Sequence, residues 1–233
     1  MSSSAAKKVL SLKIAILTAV VVAGMALLSQ PMAAQDGAEF ALAPEVSTRT
    51  FALHVNPKFR SCVGEPGGPT PTAKATVVRG KLNDTLTITG QNFKPGLAFD
   101  MFTVERSQLL SDGTIDPNFT NFGMAWYQSD LQANSEGSFT ATIKTILLDQ
   151  IFGFDPDQSN PSPINTFHLG FWFNNPNDAN VDGCVFDVNK PTPFNGEHQA
   201  GPMAFISVPN ATTNLGPLCT KPNRNTVPAS CNP

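Results

Sequence analysis

Short runs in which apolar and polar residues alternate cover most of the chain from residue 50 onward. In Thr85–Thr89 the alternation has the period of two that is typical of a half-buried β-strand, and Gly90 ends the run. Comparable runs recur about every ten residues with turn residues between them, which favours an all-β fold of the sandwich kind. The pattern predicts strands at 50–55, 75–79, 85–89, 97–104, 122–131, 138–145, 167–173, 184–188 and 203–208.

The run Phe167–Phe173 is the most hydrophobic of these segments. Apolar residues occupy one of its faces, while His168 and Trp172 lie on the other. Because both faces are largely apolar, we expect a central strand covered on both sides, or a strand at an interface. The segment Ile146–Ile151 fits either a short helix or a further strand. Prolines between residues 154 and 165 exclude regular structure there.

The first 34 residues have the layout of a secretory signal peptide of bacterial type. Lysines precede an uninterrupted apolar run, Ile14–Leu28, and the small residues Ala33 and Ala34 close the segment. The run has about 15 residues, fewer than the ~20 that a membrane-spanning helix needs. We therefore predict cleavage after Ala34, a secreted or cell-surface location, and no membrane insertion after cleavage. The alternative is an uncleaved N-terminal membrane anchor.

The remainder of the sequence divides into three parts. Residues 35–73 form an N-terminal extension that ends in a Pro/Gly linker, because EPGGPTPTA is incompatible with a helix or a central strand. Residues 74–212 form the β-sandwich domain, within which 146–212 either completes the sandwich or forms a separate β subdomain. Residues 213–233 form a polar, Pro-rich C-terminal tail. The predicted fold is thus a β-sandwich with irregular extensions at both ends.

Charge and composition narrow the class of partner. The chain has 15 basic and 18 acidic residues, a net charge of −3 and no basic cluster, which argues against nucleic acid. Only 14% of the residues are charged, while Pro and Gly number 20 and 17, a balance that suits short strands and many turns. We expect an extracellular protein or a glycan as the partner.

The four cysteines all follow the leader, and in an exported chain they predict two disulfides with three possible pairings. We favour Cys62–Cys184, which would tie the N-terminal extension to the domain. We also favour Cys219–Cys231, which would close a loop in a tail too polar to hold itself by burial. Zinc is disfavoured because there is no C-x-x-C motif and no His pair near any Cys.

One segment carries a family resemblance. In DTLTITGQNFKPGLAFDMFTV (84–104) a strand ends in Gly, an Asn-Phe-x-Pro-Gly corner follows, and a new strand begins. This resembles the opening of bacterial immunoglobulin-like domains of the IPT/TIG kind. The segment SDLQANSEGSFTATI (129–143) resembles a strand–turn–strand unit that recurs in such modules. The resemblance covers residues 74–145 and implies an immunoglobulin-like β-sandwich, but it implies no catalytic residue.

The sharpest local motif is D-A-N-V-D-G. Asp178, Asn180 and Asp182 match the D-x-[DN]-x-[DN]-G start of a calcium loop, in which alternate oxygen side chains and a glycine turn surround a hard cation. The pattern is incomplete, because Asn189 stands where the loop requires a bidentate Glu. The alternatives are a calcium site and an ordinary Asn/Asp/Gly turn between two strands. A weaker version of the pattern contains Asp155 and Asp157.

Candidate catalytic residues are sparse. Glu197 and His198 lie in a polar, Gly-containing stretch and would do acid–base work only with a third group, so the alternative is a solvated turn. His168 is expected to be a hydrogen-bonded structural histidine. No nucleophile elbow, zinc-protease, Walker or dinucleotide motif is present. We therefore assign no catalytic residue.

Three large aromatic side chains with polar edges remain, namely Trp126, Tyr127 and Trp172. On an exposed sheet face they would form a platform for the apolar faces of sugar rings. Alternatively they belong to the core, where a partner satisfies each polar edge.

These observations favour a secreted or cell-surface, non-enzymatic β-sandwich module for binding, adhesion or structure. The chain needs no cofactor unless the D-A-N-V-D-G loop binds calcium. One alternative is a secreted hydrolase that acts on a polysaccharide or an ester, and another is a carbohydrate-binding module.

Overall fold

The computed structural model describes residues 48–147, 153–154, 163–164, 168–189, 200–219, 222–227 and 229–231. Several predictions from the sequence fall outside these ranges. They are the signal peptide at 1–34, most of the segment Ile146–Ile151, and the candidate residues Asp155, Asp157, Glu197 and His198.

Twelve β-strands and only short helical turns make up the described part of the chain, so the all-β class is confirmed. The strands are β1 Thr48–Val55, β2 Thr72–Val78, β3 Asp84–Gln91, β4 Ala98–Val104, β5 Ala125–Gln132, β6 Phe139–Thr145, β7 Gly153–Phe154, β8 Pro163–Ile164, β9 His168–Phe173, β10 Met203–Ile206, β11 Pro222–Asn223 and β12 Ser230–Cys231. The helical segments are a 3₁₀ turn at Pro57–Phe59, a single α-helical turn at Arg60–Val63 (α1) and a 3₁₀ turn at Pro176–Ala179.

Eight of the strands form one antiparallel sheet in the order β5-β4-β9-β10-β1-β2-β3-β6. Strand β1 belongs to both halves of this sheet: its residues 48–53 pair with β2, whereas His54 and Val55 pair with β10. The sheet curls at β1, so that β1-β2-β3-β6 packs across a shared core from β5-β4-β9-β10. Residues that the sequence placed in an N-terminal extension therefore form an internal strand.

The C-terminal half of the sequence contributes to the same sheet. Strands β9 and β10 lie between β4 and β1, and they do not form a separate subdomain. Two predictions from the sequence for this half are wrong. The segment 154–165, for which the prolines predicted no regular structure, contributes residues to the short antiparallel pair β7–β8. The strand predicted at 184–188 is absent, because no ladder forms there. The Cys184 N–H instead closes a turn onto the carbonyl of Val181, and the Phe186 ring packs against the core. A disulfide and one apolar anchor replace strand pairing in this segment.

Phenylalanine fills the core between the two halves. Phe93, at the corner between β3 and β4, is 1% exposed and lies at the centre of this packing. Its ring centroid is 5.1–6.2 Å from four others, those of Phe99, Phe139, Phe171 and Phe205. Gly90 makes this close packing possible, because a Cβ there would collide with the rings of Phe139 and Phe93.

A second apolar cluster lies on the opposite side of the β5-β4-β9-β10 half. The loop between β4 and β5 folds over this face and buries Leu109 and Phe122 against Trp172, Met203 and Ile206. Strand β9 is consequently buried at all six positions. The prediction of a central strand covered on both sides is confirmed.

Both predicted disulfides are present. Cys62–Cys184 joins α1 to the segment after β9, and Cys219–Cys231 closes the C-terminal tail, with a Cα–Cα distance of 5.8 Å in each. Within the described ranges, no helix combines the length and the apolar character needed to cross a membrane.

Candidate functional site

The candidate calcium loop begins in the second 3₁₀ turn and ends at the Cys62–Cys184 disulfide. Asp182 and Gly183 adopt positive φ angles of 51° and 86°, which turn the chain sharply before Cys184. The Asp182 carboxylate forms an ion pair with the ammonium of Lys94, which comes from the corner between β3 and β4. Asn180 Oδ1 accepts a bond from the Phe186 N–H at 3.4 Å.

Lys94 thus supplies the positive charge at this loop. Burial raises the pKa of Asp178, and the nearby charge of Lys94 opposes part of that rise. Among the residues that the structure describes, no group of three or more His, Cys, Asp or Glu side chains is arranged to hold a metal ion. A calcium ion would have to displace Lys94, so this geometry favours the turn held by an ion pair over the calcium site.

The three aromatic residues do not form a common platform. Trp172 is fully buried and packs edge-to-face against Phe102 and Phe122, at centroid distances of 5.5 and 5.0 Å. It therefore belongs to the core, because the β4–β5 loop covers its face of the sheet. Trp126 and Tyr127 are about half exposed, at 48% and 47%.

Trp126 and Tyr127 are successive residues of the edge strand β5, so their side chains point to opposite faces. The Tyr127 ring contacts Phe102 on the outer face, and its hydroxyl donates a bond to Asp130 Oδ1 at 2.8 Å. Partial burial and this carboxylate raise the pKa of Tyr127 to about 12. Each ring offers its own apolar surface, but a flat pair of rings is absent.

Asp100 and Asp130 form a carboxylate pair that the sequence pattern did not single out. They lie opposite each other on β4 and β5. Asp100 is buried, and the Asn174 side-chain amide donates a bond to its Oδ1 at 2.8 Å, whereas Asp130 is exposed. Two carboxylates can serve hydrolysis only if both reach the substrate. The burial of Asp100 keeps one of them away from solvent.

A cavity of about 180 Å³ lies beneath the loop between β4 and β5. The loop closes at its base, where the backbone N–H groups of Glu105 and Arg106 donate to the carbonyls of Met124 and Phe122 at 3.0 Å. The lining is mainly polar and includes Glu105, Arg106, Ser107, Asp116, His168 and Asn214. The Arg106 guanidinium is already bonded to Glu105 and Asn121, at 2.7 and 2.6 Å.

His168, the first residue of β9, lines this cavity in the neutral state. Its Nδ1 donates to the Ser207 carbonyl oxygen at 3.0 Å, which leaves the lone pair on Nε2. Burial lowers the pKa of His168 to about 4, and the bond to Ser207 offsets only part of that effect. A general base works best when its pKa is close to the working pH, so this imidazole is poorly suited to acid–base catalysis near neutrality.

The outer side of the β1-β2-β3-β6 half carries a broad array of threonines. We call this surface the threonine face, and it consists of the outward residues Thr48, Thr50, Ala52, His54, Thr72, Lys74, Thr76, Val78, Thr85, Thr87, Thr89, Gln91, Thr140, Thr142 and Lys144. It includes two lysines, and none of its members is acidic or carries a large aromatic ring.

Strand register aligns the threonines into rows. Thr50, Thr76, Thr87 and Thr142 face one another in turn across four strands. The hydroxyls pair at 3.0 Å between Thr50 and Thr76 and at 3.1 Å between Thr87 and Thr142. Each pair uses one hydroxyl hydrogen, so the other hydrogen and the remaining lone pairs can meet a ligand.

A shallow groove of about 470 Å³ crosses one end of the threonine face. Ala52 on β1 is small, and it leaves room beside Lys74 on the neighbouring strand, which it faces in the register. The groove lining includes Thr50, Ala52, Thr72, Lys74, Thr89 and Gln91. Hydroxyl, amide and ammonium groups therefore surround a depression that is open to solvent.

The sequence contained part of the signal for this surface. Threonine recurs at every second position in 85–89 and again at 140 and 142, which places it repeatedly on the outward side of two strands. The alternation identifies outward positions, but it does not say which strands are neighbours. The rows become visible only once β1, β2, β3 and β6 are placed side by side.

Comparisons with protein-family models, with curated proteins and with solved structures find no match to this chain. A proposal about function therefore depends on the surfaces and side-chain geometry of the chain itself.

Proposed function

We propose that this chain is an exported immunoglobulin-like module that binds an extracellular ligand without catalysis. The observation that carries the proposal is the exposed threonine face, a broad polar surface free of carboxylates on a chain whose net charge is −3. Binding modules on sandwich folds act through such exposed sheet faces or through loops, and their function resides in these sites rather than in the fold.

The strand order supports the immunoglobulin-like part of the proposal. In such domains one sheet contains strands A, B and E, and the facing sheet contains C, F and G, with C′ added in the variable type. Here β2-β3-β6 and β5-β4-β9-β10 follow the orders A-B-E and C′-C-F-G, with antiparallel pairing throughout. The corner at Phe93, which carries the family resemblance, connects the strands that correspond to B and C.

The disulfides support export. Disulfides persist in oxidising compartments and are rare in the cytosol, and both cysteine pairs of this chain are bonded. The leader at 1–34 has the layout that directs a chain to such a compartment. The two observations together support a secreted or cell-surface location.

Binding is favoured over hydrolysis by the two groups best placed for chemistry. His168 is a weak base because burial lowers its pKa to about 4. Asp100 is buried beside Trp172, its partner across β4 and β9. Acid–base hydrolysis requires a group that is exposed to substrate and has a pKa near neutrality; His168 lacks the second property, and Asp100 lacks the first.

A second candidate is recognition of neutral sugar at the edge strand β5. The observation that favours it is the half-exposed state of Trp126 and Tyr127, since an aromatic face packs well on the C–H face of a sugar ring. The two rings lie on opposite faces of the strand, so each would hold a separate sugar.

A binding array combined with hydrolysis assays tests the proposal. The purified protein is applied to arrays of glycans and extracellular matrix proteins, and the same preparation is incubated with polysaccharides and small esters. We expect saturable binding to at least one ligand class and no turnover. Catalytic turnover, or the absence of binding to every ligand, would contradict the proposal. A loss of binding in W126A/Y127A would assign the site to β5 instead of the threonine face.

A further inference from the structure

We propose that the threonine face binds an anionic polysaccharide, a sugar polymer with carboxylate or sulfate groups. The inference rests on the proposed binding function and adds the chemical class of the ligand and the residues that hold it. Lys74 and Lys144 would receive the anionic groups, and the threonine rows between them would bond to the sugar hydroxyls.

Charge complementarity is the first argument. The chain as a whole has more acidic than basic residues, yet the outward positions of the four strands contain two lysines and no carboxylate. A locally positive face attracts anionic ligands even on a negative protein, because no carboxylate on that face repels them. The groove beside Lys74 provides about 470 Å³ in which an anionic group can contact the ammonium.

The spacing of the lysines argues for a polymer. Lys74 aligns through Thr89 with Thr140, and Lys144 lies four residues farther along β6. With strands about 4.8 Å apart and a rise of about 3.3 Å per residue, the two lysine Cα atoms are about 16 Å apart on the sheet. One monosaccharide is shorter than that distance, whereas an extended chain with spaced anionic groups spans it.

The composition of the face selects a sugar polymer over other polyanions and over a protein. Nucleic acid carries a dense line of phosphates and is held by many cations or by aromatic stacking, neither of which the face supplies. Protein interfaces are anchored by Trp, Tyr and Arg, and none of these points outward here. Threonine hydroxyls and the Gln91 amide instead offer the mixed donors and acceptors that sugar hydroxyls require.

The test is titration of the purified protein with polygalacturonate and with dextran sulfate at about 0.15 M salt, with neutral dextran alongside. The two anionic probes separate carboxylate from sulfate as the preferred group. We expect binding to at least one of them and none to neutral dextran. In K74E/K144E the affinity should fall at least about tenfold, since both cationic contacts become repulsive.

Two further variants make the result specific. K58E/R60E changes the charge by the same amount at exposed residues outside the threonine face, and it should retain the affinity of the unmodified protein. T76V/T87V keeps the shape of the central row but removes two of its four hydroxyls, and it should weaken binding at least about threefold while the circular dichroism spectrum and melting temperature confirm a folded sheet.

Three outcomes of these titrations would overturn the inference: no binding to either polyanion, an equal loss in K74E/K144E and K58E/R60E, or unchanged binding in T76V/T87V. Binding on the glycan array to a ligand that ignores all of these substitutions would overturn it while leaving the proposed binding function intact. Turnover of a substrate, or the absence of binding to every ligand on the array, would instead contradict the proposed function.

Discussion

The ammonium of Lys94, at the corner between β3 and β4, is paired with the carboxylate of Asp182 in the loop after β9. This pair places a positive charge where the sequence motif offered oxygen ligands to a metal. We predict that millimolar calcium leaves the melting temperature of the protein unchanged, because the ion would have to displace Lys94. Differential scanning calorimetry with and without calcium measures this, and a clear calcium-dependent rise would show that the loop binds the metal.

The same pair predicts a small effect on stability. The two side chains are 26% and 35% exposed, so solvent screens their attraction. Replacing Lys94 by Gln should lower the free energy of unfolding by about 0.2–1 kcal/mol. Lys58→Gln, at an exposed position, is the matched control and should have no measurable effect. A loss of several kcal/mol in K94Q would mean that the lysine does more than pair with Asp182.

Phe93 should be among the most sensitive positions in the protein. Its ring is almost fully buried between the two halves of the sheet, so Phe93→Ala removes contacts with both halves and leaves a cavity. We expect a loss of about 3–5 kcal/mol in the free energy of unfolding, measured with urea.

Phe119→Ala is the appropriate comparison for Phe93→Ala. Phe119 is partly exposed and packs on the second apolar cluster, beneath the β4–β5 loop. Its loss should be clearly smaller than that of Phe93. Similar losses in the two variants would indicate that the core does not depend on the corner between β3 and β4.

His168 should make stability depend on pH. The pKa of this group is about 4 in the folded protein, against an ordinary value of 6.5. Between these values the unfolded chain binds a proton that the folded chain excludes, so the free energy of unfolding falls as the pH is lowered through this window. This loss in the free energy of unfolding amounts to about 3 kcal/mol at and below pH ~4, and it vanishes above pH ~6.5.

Urea unfolding at several pH values, on the unmodified protein and on His168→Gln, isolates the effect of His168 on the free energy of unfolding. All other titratable groups are the same in both proteins. The difference between the two slopes of unfolding free energy against pH therefore comes from the imidazole. We expect H168Q to lose less stability than the unmodified protein between pH ~6.5 and pH ~4. Parallel curves would contradict the assignment of a neutral, buried histidine.

The two disulfides should contribute unequally. Cys62–Cys184 closes 122 residues of sequence and Cys219–Cys231 closes 12. Chain entropy assigns about 5 kcal/mol to the longer loop and about 3 kcal/mol to the shorter one. C62A/C184A should therefore unfold at a lower urea concentration than C219A/C231A. The reverse order would show that the tail has a larger role in holding the fold than its loop length implies.

Sequence reasoning was most successful where a local pattern decides the structure. The alternation in Thr85–Thr89 and the apolar run ending at Phe173 predicted strands that the structure contains, and polarity and context identified both disulfides. It was wrong at 184–188, where an apolar and β-branched run is held by Cys184 and Phe186 without any strand neighbour. A run of residues cannot report whether a partner strand is available.

The candidate site was less accessible from the sequence because its members are far apart in the chain. Lys94 and Asp182 are 88 residues apart in the sequence, and the motif D-A-N-V-D-G does not indicate that a lysine lies beside it. Trp172 is buried because the β4–β5 loop packs Leu109 and Phe122 over its face of the sheet. The alternation of residues in a strand does not report such a loop. The threonine rows could not be predicted either, because they depend on the register of four strands.

Strand β1 has a consequence for the order of events in the life of the chain. Its last residues pair with β10, so His54 meets Ile206 only after nearly all of the protein has been synthesised. The two halves of the sheet cannot close while β10 is missing, and contacts between such distant segments form slowly. We therefore expect the whole sheet to close only after nearly all of the chain has been synthesised, while local pairs such as β2-β3 can form earlier.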